Sequence, residues 1–96
     1  MSEYQVTYWR DFPSMVVVRD GDEIVKVSLA SRFQEAIDEA AMRVGAEDAD
    51  AYLDGWRKSD WILEEGDATE VAERVSSGIE NSLDDAGLQV MLDKLS

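Results

Sequence analysis

The first thirty residues alternate between apolar and polar positions. From Glu3 to Trp9 the side chains switch sides at each step, with Tyr4, Val6 and Tyr8 on one side and Gln5, Thr7 and Trp9 on the other, which is the period of a strand. Asp11-Phe12-Pro13 ends it, because proline has no N–H to give to a ladder. Ser14–Arg19 and Glu23–Leu29 then flank Asp20-Gly21-Asp22, a turn sequence that predicts a β-hairpin. With an even-length loop centred on Gly21-Asp22, Val16 and Val18 lie opposite Val27 and Val25 and share a core side with Leu29. The reverse side holds Met15, Val17, Arg19, Ile24 and Lys26. Such a mixed apolar and basic face is either half covered or used for contact.

After Ser31 the period becomes helical. Phe33, Ile37, Ala40, Ala41 and Val44 recur at helix spacing and Gly45 is a natural stop. Ser31 with Gln34 has the form of a capping box, and Glu39 with Arg43 that of a surface pair one turn apart. A short second helix is expected from Asp48, burying Ala49, Tyr52, Leu53 and Trp56, with Arg57 and Lys58 at its negative end. Trp61-Ile62-Leu63 reads as a fourth strand or an extended connector. Asp67 then caps a third helix with the stripe Val71, Ala72, Val75, Ile79 and Leu83, interrupted by Gly78. A last helix, over 84–96, carries Leu88, Met91, Leu92 and Leu95. That stripe is open to a partner, a second copy or the chain's own sheet. The predicted fold is α+β, an antiparallel meander of three or four strands with three to four helices on one face, as one domain over 1–96.

Composition narrows the chemistry. The 96 residues contain no cysteine and no histidine, which removes disulfides, thiolate nucleophiles, Cys-based metal centres and the usual neutral-pH general base. The serines have no histidine to activate them, and no carboxylate pair stands at a spacing that specifies a cleft. Asp20-Gly21-Asp22-Glu23 lacks the spacing of a calcium loop and is explained by the turn. No cofactor is expected and the balance leans away from an enzyme. The absence of a long apolar run or a basic apolar leader points to a cytoplasmic protein without a membrane partner.

The net charge of −13 is unevenly spread. Residues 1–33 hold four basic groups (Arg10, Arg19, Lys26, Arg32) against five acids, a balance of −1, which leaves −12 for the remainder. So acidic a chain repels phosphate backbones, so no nucleic-acid partner is expected, although an acidic mimic of nucleic acid remains a minor alternative.

The order YQVTYWRDFP, a valine-rich hairpin, RFQEAIDEAAMRVG and then DAYLDGWRKSDW resembles the bacterial family called the conserved virulence factor domain, over about residues 4–78. The resemblance implies an accessory or adaptor role and transfers no catalytic residue. The candidate contact residues are Trp9, Arg10, Asp11 and Arg32, joined by Trp56 and Arg57 if the second helix folds back on the sheet. Arginine beside tryptophan is the pairing found at interface hot spots. The function expected from these features is a non-catalytic protein-binding module with an unidentified protein partner and an open oligomeric state. An enzyme subunit or small-molecule-binding domain using arginine and carboxylate groups is the alternative. It would need a partly polar cavity lined by Arg10 and Asp11.

Overall fold

A computed structural model describes residues 1–46 and 48–95. The elements run β1 (Ser2–Trp9), β2 (Phe12–Asp20), β3 (Glu23–Ser28), α1 (Ser31–Arg43), α2 (Ala49–Asp54), β4 (Trp56–Lys58), β5 (Ile62–Glu64), α3 (Ala68–Ser82) and α4 (Asp85–Asp93). The sheet is antiparallel, in the order β3-β2-β1-β4, and β5 pairs with β1 farther along the same edge. This is the α+β meander expected from the sequence, with β5 where a fourth strand was one of the two expectations and β4 added beside it on the β1 edge.

The hairpin has the register that the valine pattern dictates. Val16 pairs with Val27 and Val18 with Val25, and Gly21 takes the positive φ of 61° that the tight turn requires. The four paired valines turn toward the helices with Val6 and Leu29. Ala68, Val71 and Ala72 of α3 are buried with them, and Phe33, Ile37, Ala40 and Ala41 of α1 continue the same cluster. α4 closes it by packing on α1 through Leu88 and Leu92. The Leu88 and Leu92 half of the C-terminal stripe is thus covered from within the chain, by a helix.

Several local expectations change. The first residue of α1 is Ser31, its cap position is Ala30, and no side chain caps it; Gln34 instead donates to Asp38 at 3.0 Å. The second and third helices are capped as expected, Asp48 accepting from the Ala51 N–H and Asp67 from the Glu70 N–H. α2 stops at Asp54 with no buried residue. Leu53 is exposed, and Trp56-Arg57-Lys58 is strand, not helix end. Six residues cannot bury a stripe of their own, and pairing with β1 offers Trp56–Lys58 a full ladder instead. Gly78 meets nothing within 4 Å, so it marks open space on α3 and not a close approach.

Candidate functional site

One face of the sheet carries no helix except at its Trp9 end, where α2 packs on it. Cross-strand pairing arranges its side chains in rows, because directly opposed residues project to the same side. One row runs Leu63, Glu3, Arg19, Ile24 across β5, β1, β2 and β3. The next holds Gln5, Val17 and Lys26, and the third Lys58, Thr7, Met15 and Ser28. Trp61 lies beside them, and with Arg19, Ile24, Val17, Lys26 and Lys58 it lines a shallow groove of about 340 Å³. Ile24 and Leu63 are 62% and 66% exposed, which for large aliphatic side chains on a folded sheet is a high degree of wetting. The face seen in the valine alternation is therefore open, and β4 and β5 widen it with Lys58, Trp61 and Leu63.

The electrostatics of this face run against those of the whole chain. It presents Arg19, Lys26 and Lys58 against the single acid Glu3. Arg19 is held flat: its guanidinium donates to Glu3 Oε2 from Nε at 2.8 Å and from Nη2 at 2.6 Å, and lies over the Trp61 ring at 3.9 Å. Lys26 and Lys58 meet no acceptor among the described residues. The hairpin acids Asp20 and Glu23 form the neighbouring pair and so take the opposite parity. The result is a basic, apolar strip on a chain of net charge −13.

The face ends where Trp9 begins. By strand parity Trp9 projects on the side of Gln5 and Thr7, yet it is completely buried. Tyr52 of α2 stacks on it at 5.8 Å, and the indole Nε1–H donates to the Tyr52 carbonyl at 2.7 Å. Trp56 meets Tyr52 edge-on at 5.9 Å. Trp9 is therefore a core residue, and the expected contact surface loses its central member. Tyr52 and Gly55, which complete this aromatic box, are the residues that sequence reasoning did not assign to it. Both precede a tryptophan within four positions, a spacing too common to single them out.

The strand end does assemble the remaining charged residues. The Arg10 N–H donates to the Gly55 carbonyl at 2.7 Å, and the Arg10 carbonyl accepts from Arg57 Nε at 2.8 Å. Arg57 also lies over Tyr8 at 4.6 Å and reaches Asp11 Oδ1 at 3.4 Å. Trp9, Arg10, Asp11, Trp56 and Arg57 are thus neighbours, joined by the β1–β4 ladder. Arg32 is elsewhere. It donates to the Glu80 carbonyl at 2.7 Å and the Leu83 carbonyl at 3.2 Å, closing the C-terminal end of α3. Its role is to tie α1 to α3.

On the helix side, a groove of about 510 Å³ runs between Tyr4, Tyr8 and Pro13 of the sheet and Val75, Ile79 and Leu83 along α3. Among the described residues no group of His, Cys, Asp or Glu could hold a metal ion, and no helix is long and apolar enough to cross a membrane.

A family model described as "Virulence factor" matches residues 7–92. The match starts within β1 and runs through most of α4, well beyond the stretch ending near residue 78 over which the resemblance was expected. No curated protein and no solved structure matches the chain.

Proposed function

The chain belongs to the virulence factor family, and from that membership and the geometry of its sheet we propose that it works as a non-catalytic protein-binding module whose contact surface is the open sheet face. The observation that carries this reading is the three-row arrangement of Ile24, Leu63, Met15 and Val17 framed by Arg19, Lys26 and Lys58. A monomer gains nothing by leaving such side chains wet. Polar replacement of Ile24, Leu63, Met15 or Val17 would leave the core intact, because none of the four belongs to it. The lack of histidine and cysteine fits binding better than catalysis.

The surface expected at Trp9 and Arg10 gives way to this one because Trp9 lies inside. The unpaired lysines favour a partner whose contacting surface is acidic and apolar, and they disfavour a face-to-face pair of identical chains, which would oppose like charges.

The test is affinity capture from an extract of the source cell, comparing the natural chain with the double variant Lys26→Glu/Lys58→Glu. Circular dichroism verifies that the variant is folded, and Arg10→Ala/Arg57→Ala serves as the control surface. A partner retained by the control and lost by the lysine variant is the expected outcome. A partner that survives charge reversal on the face rules this surface out.

A further inference from the structure

A second site lies between the β1–β2 turn and the last turn of α4, and it does not depend on the sheet-face reading. A cleft of about 450 Å³ is lined there by Arg10, Asp11, Phe12, Met91, Lys94 and Leu95. Its volume falls within the range of small-ligand pockets, roughly 300–1,000 Å³. Phe12, Met91 and Leu95 give it apolar walls, and Arg10 and Lys94 bring two cations. Neither cation meets an acceptor among the described residues, and the Arg10 guanidinium lies over the Trp9 ring at 5.3 Å. The acid at the site, Asp11, has Arg57 Nη2 at 3.4 Å from its Oδ1.

The backbone adds an independent observation. Arg10 has φ 54°, and among the described residues no other non-glycine residue has a positive φ. A two-residue hairpin loop ordinarily puts glycine in such a position, because an L side chain there is strained. The conformation is fixed by the Arg10 N–H to the Gly55 carbonyl and by Arg57 Nε to the Arg10 carbonyl. A strained residue, clamped by its backbone, whose side chain serves no ion pair, is the pattern of a residue kept for function.

We propose that this cleft binds the carboxylate of a ligand with an apolar body, Arg10 and Lys94 taking the carboxylate and Phe12, Met91 and Leu95 the apolar part. Two cations against one acid suit a monoanion; the nearby Asp11 carboxylate would repel a dianionic phosphate. Such a group could come from a free aliphatic acid or from a chain terminus ending in an apolar residue.

The test is a titration of the full chain, followed by its amide NMR signals, with octanoate, octylamine, and a short leucine-ended peptide as free acid or amide. Octanoate or the free-acid peptide is expected to shift the Arg10, Phe12 and Lys94 signals, and whichever binds identifies the source; octylamine and the amidated peptide are expected to leave them in place. Arg10→Gly should weaken binding at least about tenfold, the scale of one charge-assisted hydrogen bond, without lowering the thermal midpoint, since glycine relieves the strain. Lys94→Gln should weaken binding while leaving the fold unchanged. The proposal is overturned if octylamine binds as well as octanoate, if Arg10→Gly keeps full affinity, or if neither carboxylate probe binds.

Discussion

A Cβ placed on Gly55 would stand 2.5 Å from both Cε2 and Nε1 of Trp9. The φ of Gly55 is an ordinary −75°, so glycine is required there for space and not for conformation. The absent side chain lets the α2–β4 turn close over the indole and brings the Tyr52 carbonyl within reach of Nε1. Gly55→Ala must push the indole or the turn aside, and a loss of about 1–3 kcal/mol is expected in urea unfolding. An unchanged midpoint would mean that the box is looser than its geometry implies.

Arg32 gives a contrasting prediction, since its guanidinium bonds two carbonyls at the end of α3. Arg32→Ala leaves these half-buried acceptors to water or to nothing, and a loss on the order of 1–3 kcal/mol is expected. Lysine should recover only part of it, because one ammonium does not reproduce a fork spanning two acceptors. Hydrogen exchange at the C-terminal turn of α3 locates the effect. An effect on partner capture at unchanged stability would return Arg32 to the contact surface.

The helix caps separate two serine- and aspartate-based starts that look alike in the sequence. Asp67 accepts from the Glu70 N–H at 2.8 Å, so Asp67→Ala should cost about 1 kcal/mol. Ser31 makes no capping bond, so Ser31→Ala should stay within about 0.5 kcal/mol of the natural chain. Thermal unfolding of the two variants side by side decides this, and equal losses would restore the capping box at α1.

The open sheet face should be nearly free of stability cost. Ile24→Ser and Leu63→Ser remove side chains that are already mostly wet, so each is expected to shift unfolding by no more than about 0.5 kcal/mol. A larger loss would show that these residues are buried by self-association, which sedimentation of the natural chain would reveal directly.

The strands of the hairpin were legible because alternation and a glycine turn fix both register and face. The open face was legible for the same reason, since Met15, Val17 and Lys26 follow from the parity of Val16, Val18 and Val27. Trp9 was not legible. Its parity put it on the open side, and it is covered there by Tyr52, forty-three residues away, and by the turn at Gly55. Trp56-Arg57-Lys58 misled for a related reason. Three residues carry no period, so whether they end a helix or pair with β1 is decided by tertiary contact. Arg32 is the clearest instance, because its two acceptors are backbone carbonyls and leave no trace in side-chain identity.

The central claim, that the open sheet face is the contact surface, is tested most directly by site-specific photo-crosslinking in the source cell. A photoreactive residue is placed at Val17 in the middle row of the face, or at Met42, which is exposed on α1. The account predicts a discrete crosslinked protein from position 17, lost on Lys26→Glu/Lys58→Glu, and none from position 42. A crosslink from position 42 with none from position 17 would contradict it and move the interface to the helical side.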